Sequence, residues 1–203
     1  MSLIFKSEPP EVVEVVRTSL GRMMSMRAFH TPNLARIVTD IHEDQALTPP
    51  IPFQVLPVYH IGLADLAAGQ NLDFAFQIGW RYLLKHNDEV VASADVIIDL
   101  DKKPIFAQIN EGPLVQGTVL AFKAAGVEED VKKSEYETRF LTVPALYVAS
   151  LWLVDMTDNR DLAIPIAPTP PYLKPNKAIL VGDLLNELQK AAKETLSAQS
   201  PDS

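Results

Sequence analysis

Asp95, Asp99 and Asp101 stand at odd positions within seven residues, so along an extended chain they share one side. A strand running back beside them from residue 72 would set Asp73 opposite Asp101 and diagonal to Asp99. Like charges opposed in this way cost stability unless something offsets them. A Mg²⁺ or Mn²⁺ ion held by Asp73, Asp99 and Asp101 would do so, and would make a hydrolase or transferase centre. Basic neighbours offer a plainer compensation. Arg81 can reach Asp95, and Lys102 and Lys103 follow Asp101 directly.

Other chemistry is sparse. His42-Glu43-Asp44, with Asp40 just before, forms an acidic helix end but lacks the second histidine of a zinc-protease motif. His30, His42, His60 and His86 are scattered, and His60, in VYHIG, reads as a packed histidine with no triad around it. Phosphate-cradling glycine loops and the G-x-S-x-G elbow are absent. No residue can be assigned a catalytic role, and no cofactor is implied beyond the Mg²⁺ or Mn²⁺ alternative.

Composition narrows the partners. The 203 residues carry a net charge of −8, which argues against nucleic acid, because phosphate binding needs a surplus of Lys and Arg. With no cysteine, disulfides and thiolate chemistry are excluded, and a cytoplasmic home is the expectation. The longest uncharged apolar run, Leu141 to Val154, is too short to cross a bilayer and contains Pro144, so no membrane association is expected.

The elements that must position these residues read as one α+β domain over residues 1–203, with 1–8 and 197–203 fraying. A first helix follows Pro9-Pro10, with Val12, Val16, Leu20, Met23 and Met24 at helical spacing. A second begins at Thr31-Pro32, with Leu34, Ile37, Val38 and Ile41 as its stripe. Residues 51–61, broken by prolines, read as an edge strand or covering segment. From Leu72 to Leu84 every even residue is apolar, and the alternation resumes in phase from Val90 to Leu100. That is a hairpin of half-buried strands. A three-residue loop at 86–88 keeps even opposite even, pairing Tyr82 with Ala92 and Trp80 with Ala94. PIFAQIN adds a third strand, and Pro113 to Ala125 a helix that Gly117 weakens. Strands over 136–143, 145–156 and 162–166 complete a mainly antiparallel sheet, and a last helix starts at Asp183.

Two features suit interaction. Met23, Met24 and Met26 give the first helix a soft surface, though core filling is the simpler account of them. Pro165-Ile-Ala-Pro-Thr-Pro-Pro-Tyr-Leu-Lys-Pro175 has the spacing of a polyproline II ligand, but its apolar neighbours favour a strap. Such a strap would cross the surface extended, bury Tyr172 and Leu173, and wall a groove. The expected function is therefore non-catalytic binding of a protein partner, or self-association.

Overall fold

The computed structural model describes residues 2–26, 34, 51–86 and 88–199. Nine strands form one sheet: β1 (Ser2–Ile4), β2 (Ile51–His60), β3 (Phe76–His86), β4 (Glu89–Ile98), β5 (Pro104–Asn110), β6 (Glu135–Val143), β7 (Val148–Asp155), β8 (Leu162–Pro165) and β9 (Ile179–Leu180). The helices are α1 (Pro10–Ser25), α2 (Leu63–Ala67), α3 (Pro113–Val127), α4 (Glu129–Lys133) and α5 (Val181–Gln199). Strand order is β5-β4-β3-β2-β6-β7-β8-β9, and β1 is a further partner of β6. Among the described residues, only the β1–β6 and β2–β6 pairings are parallel. The fold is thus the mainly antiparallel α+β arrangement that the alternation and the terminal helical stripes imply. The helix expected from Thr31 lies outside the described residues, save for Leu34, which is helical and buried against α1 and β3.

The β3–β4 hairpin keeps even residues opposite even ones, but two residues away from the expected register. Tyr82 opposes Ala94 and Trp80 opposes Val96, while at the tip His86 opposes Glu89 and Lys85 opposes Val90. A bulge between Leu84 and Lys85 absorbs the odd residue. The tip is therefore the two-residue loop that parity alone forbids, made admissible because a bulge switches parity within the strand. Asp88 takes the left-handed backbone such a tip requires (φ 66°).

β3 also begins later than the alternation suggests. Leu72–Phe74 form a 3₁₀ turn, with the Asn71 side chain accepting a hydrogen bond from the Asp73 amide. Leu72 and Ala75, three apart as that helix type demands, face the core, and Phe74 and Phe76 are left exposed.

Both faces of the sheet are covered, so β3 and β4 are more than half-buried. Val12, Val16, Leu20 and Met24 of α1 pack on Trp80, Tyr82, Leu84, Ala92, Ala94 and Val96. The large apolar side chains among them each contribute about 1.5–3 kcal/mol on burial. In β6 and β7, neighbouring residues divide between the two faces. Leu141 and Trp152 meet Leu184 and Leu188 of α5, whereas Phe140 and Leu151 meet Ala121 and Ala125 of α3. Val58 pairs with Phe140, and the preceding Pro57 pairs with Trp80. That register places α1 and α5 on one face and α3 on the other.

β2 is the main departure from expectation, since it lies inside the sheet between β3 and β6. Its prolines are tolerated because only Val58–His60 pair with β6. A bulge between Pro52 and Gln54 keeps Pro52 and Pro57 in one phase, opposite Leu84 and Trp80. The missing donors therefore fall on one edge, beside the stretch that β6 does not pair. β1 occupies the rest of that β6 edge, opposite Glu135–Glu137. Residues 2–4 consequently form a strand instead of fraying. The Thr138 hydroxyl donates to the Ile4 carbonyl (3.1 Å), and Leu3 and Phe5 pack into the α3-side core.

On the α3 side of β3, Arg81 and Asp95 sit directly opposite each other, 8% and 9% exposed. Arg81 Nε donates to Asp95 Oδ1 (2.7 Å) and Nη2 to Oδ2 (2.8 Å). Gln108 and Asn110 of β5 donate to the same Oδ2 (3.0 and 2.9 Å). The guanidinium lies 4.2 Å from the centre of the Phe140 ring on β6. Asp95 is thereby saturated by four donors, and one ion pair ties β3, β4 and β5 to β6. We predict that Asp95→Ala, which strands a buried guanidinium, lowers unfolding free energy by about 3–5 kcal/mol in urea titrations. The paired change Arg81→Met with Asp95→Leu loses much less, and an equal loss would contradict this account.

Candidate functional site

The loop from Pro165 to Asn176 is not an extended strap. Its ends meet, with the Asn176 amide donating to the Pro165 carbonyl (2.9 Å) and the Ile166 amide to Ala149 of β7 (2.8 Å). Inside it, the Leu173 amide donates to the Pro170 carbonyl (3.0 Å), and the Thr169 hydroxyl to the Leu173 carbonyl (2.9 Å). These bonds curl residues 169–173 into a turn. Leu173 then plugs beneath α5 among Leu184, Leu185 and Leu188, as expected. Tyr172 does not follow it inward. With its neighbour pinned, successive side chains diverge, and the Tyr172 ring remains 40% exposed.

Beside it, Pro144–Leu146 form a 3₁₀ turn in place of the start of a long strand. Proline at the first position of that turn costs no hydrogen bond. The turn closes through the Tyr147 amide, which donates to the Pro144 carbonyl (3.0 Å), and leaves Tyr147 left-handed (φ 54°, ψ 37°). A bulky residue in that region costs roughly 1–2 kcal/mol. Its ring is 87% exposed.

Tyr147 and Tyr172 line one open groove of about 710 Å³, together with Pro168, Pro170, Glu194 and Thr195. Partial burial, and then the carboxylates of Glu187 and Glu194 on α5, push the Tyr172 phenol up from its usual range. The groove thus combines two aromatic rings, a proline wall and an acidic rim.

The other candidates are dispersed. Asp73 is exposed and held by Asn71, whose Nδ2 donates to its Oδ2 (3.0 Å). It borders a cleft of about 390 Å³ with Asp161 and Asp183, where Asp161 already accepts the Trp152 indole (2.9 Å) and the Asp155 amide (2.9 Å). Asp99 braces the β4–β5 turn, its Oδ1 accepting the Lys103 amide (2.7 Å), and Asp101 is exposed in that turn. The β3–β4 ladder ends at Gly79 and Ile97, so Asp73 never comes opposite Asp101. Among the described residues, no three His, Asp or Glu side chains are grouped to hold a metal ion. His60 packs edge-on against Phe76 (5.6 Å), and His42 lies outside the described residues. On α1, Met24 is in the core, Met23 packs beside it, and Met26 is exposed just past the helix. Tyr147 was hidden from a sequence reading by the strand-like run around it. Pro144 was the available signal, as a proline that opens a turn.

Gly117 of α3 holds the loop in place. A Cβ there would collide with the Ala167 carbonyl oxygen and Ile166 Cγ2. Helix propensity alone would make Gly117→Ala stabilising by about 1 kcal/mol. We predict the opposite sign, a loss of about 1–3 kcal/mol on thermal unfolding, because backbone must move. Among the described residues no helix is long and apolar enough to cross a membrane. The chain matches no known protein family, no curated protein and no solved structure.

Proposed function

We propose that this chain is a non-catalytic, cytoplasmic binding domain whose groove takes an extended, proline-containing segment of a protein partner flanked by basic residues. The observation that carries this reading is Tyr147, a large ring held in solvent at a left-handed backbone position. Strain of that kind persists where the surroundings enforce it, and it recurs at binding sites. A polyproline II segment is already extended, so it loses little entropy on docking, and its ring faces stack on aromatic side chains. Tyr147 and Tyr172 supply such surfaces, and Glu187 and Glu194 favour a cationic flank. The net charge of −8 points the same way, towards a basic protein segment and away from nucleic acid.

Fluorescence anisotropy with labelled proline-rich peptides tests this. Peptides flanked by Arg or Lys are expected to bind saturably and to weaken as salt rises, whereas the same prolines flanked by Glu bind less. Tyr147→Gly is expected to lower affinity at least about tenfold while leaving the melting temperature unchanged or higher, since glycine relieves the left-handed strain. Absence of saturable binding, or full binding by Tyr147→Gly, would overturn the proposal.

A further inference from the structure

Three irregularities of the sheet converge on one place. The β2–β3 ladder skips Ile78, and the β4–β5 ladder skips Ala107. Next to Ile78, a Cβ on Gly79 would collide with the Val96 carbonyl oxygen. Bulges and strand glycines gather beside functional sites, because they re-aim side chains or let something approach the backbone closely. All three residues line a cavity of about 210 Å³, on the face where Val58, Ile78 and Phe140 pack. It shares no lining residue with the tyrosine groove. Ile97, which lines it directly opposite Gly79, is left 43% exposed.

The polar groups of this cavity are unevenly used. Arg81 and Asp95 both line it. Arg81 commits Nε and Nη2 to Asp95, so the planar guanidinium turns Nη1 away from β4, towards the Phe140 side. Nη1 carries two N–H donors, and among the described residues it bonds no acceptor. Arg81 is only 8% exposed, so bulk water serves these donors poorly. Thr142, on the same wall, has a hydroxyl without a partner among the described residues. Most of the remaining lining is apolar, with Val58, Ile78, Ile97 and Phe140 prominent. Asp95 cancels the charge of Arg81, so a charged ligand would lose its hydration here and find no net counter-charge. The complementary occupant is therefore uncharged, apolar in body, and carries one acceptor beside one donor. It is also small, since drug-sized ligand sites run to roughly 300–1,000 Å³.

We propose that this cavity binds a small uncharged carboxamide, its carbonyl oxygen accepting from Arg81 Nη1 and its N–H donating to the Thr142 hydroxyl. The apolar body of the ligand then lies against Val58, Ile78 and Ile97. Benzamide is the probe, titrated into the full chain while the Arg81 Nε–H resonance is followed by NMR. Saturable binding is expected with a dissociation constant of about 1 mM or tighter, the range open to so small a ligand. Benzoate and benzylamine, alike in shape but charged, should bind at least about tenfold more weakly. Thr142→Val, which removes the hydroxyl partner, should cost about threefold or more in affinity. Ile97→Trp lays a ring over Gly79 and into the cavity. It should abolish binding while the melting temperature stays unchanged or rises, because an aromatic residue shields a glycine across a ladder. Failure of benzamide to saturate by about 20 mM would overturn the proposal. So would equal binding of benzoate or benzylamine, or unchanged benzamide binding by Thr142→Val or Ile97→Trp.

Discussion

The sheet depends on the ion pair between Arg81 and Asp95. Among the described residues its two halves, β5-β4-β3-β2 and β6-β7-β8-β9, share a ladder only where Val58–His60 pair with β6. Arg81 reaches across it to stack on Phe140, and Asp95 anchors Arg81 while collecting the amides of Gln108 and Asn110. Removing charges from water is costly, and full satisfaction of both groups is what makes the arrangement tolerable. The same saturation removes Asp95 from any catalytic account.

A second cation repeats the device on the opposite face. Arg139 donates to Glu137 (2.7 Å) and lies between the Tyr59 and Trp152 rings, 4.8 and 4.7 Å from their centres. Trp152 in turn donates to Asp161, whose carbonyl accepts the first amide of α5. The final helix, which forms one wall of the tyrosine groove, is thus docked by apolar packing and by a polar chain traceable to the sheet centre. Groove and junction are parts of one packed structure.

Much of the architecture was legible in local pattern. The even-odd alternation of residues 76–98 announced a hairpin, the stripe Val12, Val16, Leu20, Met24 announced α1, and PIFAQIN matched β5 residue for residue. The pairing of Arg81 with Asp95 was also readable, since opposite charges on one strand face rarely stay apart. The register was not. A shift of two residues preserves every inward-facing side chain, so alternation cannot distinguish the two pairings, and the bulge at Leu84 depends on what packs around the tip. The burial of Leu173 and the proline wall of the groove could be read in advance, but the exposure of Tyr172 could not.

What the sequence by itself determined is the set of local constraints: strand parity, the apolar stripe of each helix, the lack of thiols, the acidic charge. Tertiary structure decided everything that turns on neighbours distant in the chain. It made β2 an interior strand despite two prolines, because β1 takes the edge of β6 those prolines could not serve. Contact with Ala167 gave Gly117 its purpose. Tertiary structure also folded the proline segment into a closed loop and left Tyr147 and Tyr172 in solvent. The physical reason is common to all of these. Alternation and helical stripes come from backbone geometry within a few residues, whereas register, strand position and exposure are set by which surfaces compete for the same space.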